Sequence, residues 1–226
     1  MVAFCRAMND AAPARTEAPS PKRQAILAAA GALFVALGYG AVSMDAIARS
    51  ANVSKATLYA HFSSKDLLFA TIINDACREN IAAGDMFGES HVDLTDALRA
   101  IGTRLLRFFL SERALAIHRV VIAECGRFPE LGRAFYENGP GVFRRMLAEW
   151  LDRRDAEGRL DLTDPAVAAD HFIGMLRTGL YARATRGLAP AAGSPAVEAE
   201  IETTVVEAVG AFLRAYGPER SCMTPF

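Results

Sequence analysis

Six side chains able to donate hydrogen bonds or carry positive charge, Ser54, Lys55, Thr57, Tyr59, His61 and Lys65, fall within one short stretch, SKATLYAHFSSK, residues 54 to 65. The set holds no carboxylate pair and no nucleophile–base–acid order, so hydrolysis and acid–base catalysis are not its chemistry. Nucleic-acid recognition is. A threonine is short enough to touch base edges, and a lysine reaches guanine acceptors or phosphate. Tyrosine and histidine donate to phosphates and so fix register without reading sequence. Lys65 stands in the first turn of the following helix, against that helix's own macrodipole, and a nearby phosphate would account for it. Each residue taken singly also reads as a cap or as part of a solvated helix face, so the weight lies with the elements that hold them.

Those elements follow from apolar spacing. Ile26, Ala30, Leu33, Phe34 and Leu37 form the stripe of an amphipathic helix, closed by Gly38-Tyr39-Gly40. Ser43 caps a short second helix, Met44 to Ala51, and Ser54 caps a third, Lys55 to Phe62. Ser63, with Asp66 three residues on, predicts a capping-box start for a fourth helix running to about Ala83. A helix-turn-helix needs a small residue in its first helix, a turn residue tolerant of positive φ, and an apolar anchor in its second. Ala48, Asn52 and Leu58 supply these at the required spacing. With Leu58 and Phe62 turned inward, Lys55, Thr57, Tyr59 and His61 are sent outward. Local charge agrees: residues 21 to 65 carry Lys22, Arg23, Arg49, Lys55 and Lys65 against Asp45 alone, although the whole chain has a net charge of −1. A net-positive small segment on a net-negative larger one suits a DNA-reading module joined to a separate body.

The stretch resembles the signature of the TetR family of one-component transcriptional regulators, roughly T-x-x-x-I-A-x-x-A-G-V-S-x-G-T-L-Y-x-H/Y-F-x-S-K-E-x-L. It is carried here by Ser43, Ile47, Ala48, Ala51, Asn52, Val53, Ser54, Lys55, Ala56, Thr57, Leu58, Tyr59, His61, Phe62, Ser64, Lys65, Asp66 and Leu68. Ser43 for Thr and Asn52 for Gly preserve capping and positive φ, while Ala56 for Gly adds a methyl close to the expected DNA surface. The candidate DNA-contacting residues are therefore Ser43, Ser54, Lys55, Ala56, Thr57, Tyr59, His61 and Lys65, with Arg23 from the preceding helix. The stretch IHRVVIAECGRFPELGRAFYENGPGVFRRML also resembles the C-terminal domain of the AefR-like branch. The resemblance implies a repressor whose body binds a small-molecule effector and forms a homodimer on palindromic double-stranded operator DNA, with no cofactor.

The body continues the helical pattern at about 93–110, 113–126, 129–157 with Asn138-Gly139-Pro140 expected to kink or split it, 164–187 and 195–216. With no alternating β-pattern, the chain reads as all-α with about nine helices: a tail over residues 1–20, a helix-turn-helix domain over 21–68, and a helical ligand-binding and dimerisation domain over 69–226. The broad apolar faces of the last two long segments suggest a four-helix dimer interface through Phe172, Met175, Leu176 and Gly179 with Ile201, Val205, Ala208 and Phe212. Core of a monomer is the competing reading. Candidate pocket residues, chosen as aromatic, Met and neighbouring side chains, are Phe108, Phe109, His118, Val121, Ile122, Cys125, Phe143, Met146, Trp150, Phe172, Met175 and Tyr181.

Four cysteines, Cys5, Cys77, Cys125 and Cys222, lack the paired spacings of a zinc site and the density of a disulfide scaffold. No continuous apolar core of a secretion signal and no run of about 18 apolar residues is present, so neither export nor a membrane partner is expected, and a reducing cytoplasm is the simplest location. His118 and Cys125, seven apart, share a helix face but lack further ligands in register for a metal. The competing functions are an all-helical enzyme using His118, His171, Glu124 or Cys125, and a helical binding protein whose DNA-reading surface is idle.

Overall fold

The computed structural model describes residues 20–82, 93–190 and 192–218, and every regular element in them is helical. The expected tail, together with Cys5, Cys222 and the Gly84–Ser90 gap, lies almost wholly outside these residues. In chain order the helices are α1 (Pro21–Leu37), α2 (Met44–Ser50), α3 (Lys55–His61), α4 (Lys65–Ala82), α5 (Leu94–Leu110), α6 (Glu112–Glu124), α7 (Pro129–Asn138), α8 (Pro140–Ala156), α9 (Pro165–Leu176), α10 (Gly179–Thr185) and α11 (Pro195–Tyr216). Two of the nine expected segments are split, which gives eleven helices among the described residues. The first split falls at Gly139-Pro140, where the proline was expected to interrupt the ladder. The second was not expected: Thr178 leaves the helical region at ψ −147°, its hydroxyl bonding the Met175 carbonyl, and Gly179 restarts the chain as α10.

The N-terminal elements follow sterics and capping. Ser20, Ser43 and Ser54 each accept a hydrogen bond from the backbone N–H three residues on, at Arg23, Ala46 and Thr57. Gly38 turns the chain out of α1 at φ +81°, and Asn52 makes the helix-turn-helix corner at φ +51°. The expected capping box at Ser63 is displaced by one residue. Ser64 accepts from Leu67 N–H, and Asp66 bonds the Tyr39 hydroxyl instead of reaching back to a cap.

Beneath this corner Ile26, Ala30 and Phe34 of α1, Ile47 and Ala48 of α2, Leu58 of α3 and Phe62 pack on Leu68 and Phe69 of α4. In the larger part α5 and α11 pack on each other and on α9, with α8 against α9 and α7. Gly102 lets α5 approach closely, since a Cβ there would lie 3.3 Å from both Leu176 and Val205. No helix among the described residues is long and apolar enough to cross a membrane.

Candidate nucleic-acid interface and its link to an internal cavity

The reading surface is what α3 leaves outside once its anchor is set. Leu58 is wholly buried, so Lys55, Ala56, Ala60 and His61 face solvent and Tyr59 stands 44% exposed. Lys55 Nζ lies 2.9 Å from an Asp45 carboxylate oxygen, tying α3 to α2, and that hydrogen bond holds its amine pKa above the ordinary lysine value. Thr57 is half-buried, and its hydroxyl lies 2.8 Å from Ser54 Oγ, the oxygen that caps the helix. Ser43 and Ser54 are thus caps first, with their outer edges exposed beside the reading face. Arg23 sits off this face: its guanidinium is 5.5 Å from the Phe62 ring centroid and 3.6 Å from Asp75 of α4, bracing α1 against α4.

Lys65 differs most from expectation. Its ammonium points inward, donating to the carbonyls of Tyr39 at 2.8 Å and Val42 at 3.0 Å, and stands 4.2 Å from the Tyr39 ring centroid. Two carbonyls accept from this amine and a ring face lies beside it, so it staples the α1–α2 turn to the start of α4. Burial lowers its pKa, with Asp66 opposing. The unfavourable helix position that suggested a phosphate is offset by two carbonyl oxygens of the chain itself.

The same turn carries the junction between the two parts. Gly40 N–H donates to Glu124 Oε2 at 2.7 Å, and the Tyr39 ring meets the Phe128 ring edge-on at 5.5 Å. A Cβ on Gly40 would lie 2.8 Å from Phe128 Cε2 and 2.9 Å from Glu124 Oε2, so the turn can sit this close to the end of α6 only as glycine. Burial, reinforced by Asp66, raises the Tyr39 hydroxyl far above its usual pKa.

Behind the junction lies a cavity of about 1010 Å³ walled by α4, α5, α6, the α7–α8 break, α9 and α10. Of the expected pocket residues, Phe108, Phe109, His118, Phe143 and Tyr181 line it. The other seven do not. Val121, Trp150 and Phe172 are packed in the core, Ile122 is 64% exposed, and Cys125, Met146 and Met175 are half-buried elsewhere. Residue type selected these side chains, but which apolar stripe of a doubly buried helix borders a void is decided by neighbouring helices. Sequence reasoning missed Ile73, Ala76 and Cys77 of α4 and five arginines, Arg99, Arg104, Arg107, Arg113 and Arg177. On α5 the arginines lie opposite the buried Leu98, Ile101 and Leu105, a pattern otherwise read as a solvent face.

Inside, Arg177 donates to the Tyr181 hydroxyl at 2.7 Å, its guanidinium 4.5 Å from the Tyr181 ring and 5.6 Å from that of Phe109. His118 lies between Phe135 and Tyr181, its pKa lowered first by burial and then by Arg177 and Arg119. Burial pushes the Cys77 thiol up to about 11, so it is protonated near neutrality. The other groups weighed for catalysis are spread apart: Glu124 holds Gly40, His171 pairs with the Tyr216 hydroxyl, and Cys125 packs beside Ile122. Among the described residues no three His, Cys, Asp or Glu side chains come together as a metal site.

The expected dimer residues need correction. Phe172, Leu176, Ile201, Val205, Ala208 and Phe212 are all buried within one protomer, where they join α9 to α5 and α11, so they present no surface to a second chain. Met175 is half-buried, and Gly179 is exposed at the start of α10. What α9 and α11 leave uncovered is a different pair of stripes: Val167, His171 and Gly174 on α9, and Ala199, Thr203 and Val206 on α11, with Val167 43% and Val206 42% exposed.

Comparison with known proteins agrees with this geometry. The model for bacterial regulatory proteins of the tetR family matches residues 26–72, and that for the C-terminal domain of AefR-like transcriptional repressors matches residues 96–218. The solved structure of a flavonoid-responsive regulator, FrrA, is 35% identical with a TM-score of 0.71, over 88% of this chain and 98% of that one. A TetR-family regulator structure from Mesorhizobium loti is 30% identical with a TM-score of 0.68, over 87% and 96%. An uncharacterized HTH-type transcriptional regulator of Bacillus subtilis (strain 168), YvkB, is 28% identical over 69% of this chain and 79% of its own length.

Proposed function

The chain belongs to the TetR family of transcriptional regulators, and we propose that it is a cytoplasmic homodimeric repressor whose two α3 helices hold a palindromic operator until a small molecule fills the cavity. One observation carries this reading. Helix α4 has Leu68 and Phe69 in the helix-turn-helix core and, one to two turns on, Ile73, Ala76 and Cys77 in the cavity wall. A molecule that fits the cavity better with α4 displaced shifts the reading heads by its difference in affinity between the two arrangements, typically 1–3 kcal/mol of coupling. The Gly40–Glu124 bond and the Tyr39–Phe128 contact hold the corner to α6, so the cavity acts on the corner from two sides.

The DNA-contacting set is Lys55, Ala56, Tyr59 and His61, with the outer edges of Ser43, Ser54 and Thr57. Lys65 and Arg23 serve as braces. The division expected from the sequence, 21–68 for reading and 69–226 for ligand and dimer, is kept as a functional one. Dimerisation falls to the uncovered stripes of α9 and α11, whose Gly174, Ala199 and Thr203 let two backbones approach. Aromatic cavity walls are in keeping with an aromatic effector of the kind to which FrrA responds.

The test is an anisotropy titration of the full chain against oligonucleotides selected from a random pool, repeated at several salt concentrations. Sequence preference with a steep salt slope is expected, and Lys55→Gln should reduce that slope by about one. Weak, sequence-indifferent binding at every salt concentration refutes the regulator reading in favour of a binding protein with an idle helix-turn-helix.

A further inference from the structure

We propose that the cavity selects aromatic compounds carrying one anionic group, a carboxylate or an ionised phenol, and that Arg177 reads the charge. The inference deepens the effector reading above and rests on it only for the cavity being the effector site.

Charge balance is the first ground. The described lining contains five arginines and no aspartate or glutamate. Arg99 is answered from outside the wall by Asp96 at 3.9 Å and Arg107 by Glu198 at 2.6 Å, and Arg104 and Arg113 have partners of their own. Arg177 is not: among the described residues no carboxylate lies within ion-pair distance of it, and its one hydrogen-bond partner is the neutral Tyr181 hydroxyl. Stacking on Tyr181 and Phe109 offsets part of the cost of half-burying a cation. An entering anion supplies the rest, and a guanidinium is the side chain whose planar fork suits a carboxylate or a charged oxygen.

The walls supply the second ground. Phe109 meets Tyr181 edge-on at 6.0 Å, Phe108 lies 5.6 Å from Phe143, and His118 lies 6.0 Å from Tyr181. Rings so arranged offer faces and edges to a flat aromatic guest. His118, kept neutral by burial and by the neighbouring arginines, adds a hydrogen-bonding partner for a hydroxyl or carbonyl without adding charge. A void of about 1010 Å³ takes two or three fused or linked rings.

Ile173, Arg177 and Tyr181 follow one another at four-residue intervals, a spacing that keeps them on one side of the chain, and they reach the same void across the turn at Thr178.

The experiment is calorimetric titration of the full chain with matched pairs: benzoate, 2-naphthoate and anthracene-2-carboxylate, each against its own carboxamide, with octanoate as an aliphatic anion. A nitro-substituted naphthol, titrated below and above the pKa of its hydroxyl, tests the phenolate arm. At least one aromatic acid should bind about tenfold or more tightly than its amide, as a charge-assisted hydrogen bond requires. Octanoate should bind more weakly than that acid. Arg177→Met should abolish the acid-over-amide preference while leaving amide affinity in place, and Arg177→Lys should retain part of it; circular dichroism melts check that both variants fold. Equal affinity for every acid and its amide on the wild-type chain overturns the proposal, as does binding of no aromatic acid at all, octanoate binding as tightly as the aromatic acids, or a preference that survives Arg177→Met. The two readings separate cleanly. Selective DNA binding without anion preference sinks this inference alone, whereas anion preference with sequence-indifferent DNA binding sinks the regulator reading and leaves the cavity's chemistry standing.

Discussion

Replacing Lys65 by methionine discriminates best between an amine that holds the fold and one that holds DNA. Methionine keeps most of the aliphatic stem and removes the ammonium, which donates to the Tyr39 and Val42 carbonyls at 2.8 and 3.0 Å and stacks on the Tyr39 ring. A hydrogen bond to a charged group is worth about 1.5–3 kcal/mol net; two at the low end, for a partly exposed site, give about 3 kcal/mol. Relief of the ammonium's partial desolvation, which lowers its pKa, returns part of this, so the loss should be no more than about 3 kcal/mol. Urea unfolding followed by circular dichroism should show that loss in the midpoint, and operator affinity should fall with the folded fraction at every salt concentration. The salt slope should stay as in the wild type. A slope lower by about one, with unchanged stability, is the signature of a lost phosphate contact and would refute the placement of this side chain.

Asn52→Val forces a β-branched residue into φ +51° and should cost about 1–2 kcal/mol in the urea midpoint, whereas Asn52→Gly should leave it essentially unchanged. Gly40→Ala drives a methyl into Phe128 and Glu124; the expected cost is about 1–3 kcal/mol, and the effector-induced drop in operator affinity should shrink, measured by anisotropy with and without a bound aromatic acid. His118 has a folded-state pKa depressed by burial and by Arg177 and Arg119, so its contribution to stability is complete above about pH 6.5 and is lost as acidification passes through the lower folded value. Melting curves across that interval should therefore fall less steeply for His118→Phe than for the wild type, and identical profiles would contradict the assignment.

How much was legible depended on whether the deciding forces were local. Asn52 could be placed because few residues besides glycine accept positive φ, and the inward turn of Leu58 followed from its ten-residue spacing from Ala48. Capping was legible to within one residue: Ser63 and Ser64 are chemically equal candidates, and the choice went to Ser64 while Asp66 paired with Tyr39, a residue 27 positions away. The partners of Lys65 were not legible because they are backbone carbonyls, which have no identity in a sequence. The α9–α11 stripes misled for a related reason. A helix with two apolar sides says that both are covered or functional, and the packing of α5 against α9 and α11 decided which residues were core. The arginines of the cavity were invisible because those of α5 stand at its rim, where Arg99 and Arg107 are also exposed to water and read as an ordinary solvent face.

Because α4 contributes both to the packing beneath α1–α3 and to the cavity wall, the reading head is not a detachable module. Cutting the chain after residue 62 would strip Leu68 and Phe69 from beneath α1–α3 and leave Phe34, Tyr39 and Leu58 facing solvent. Anyone grafting this operator preference onto another sensor should therefore splice near the far end of α4, carrying the whole helix along. Such a chimera inherits Ile73, Ala76 and Cys77 as part of its binding chamber, so a transplanted DNA preference brings a fragment of the original ligand preference with it.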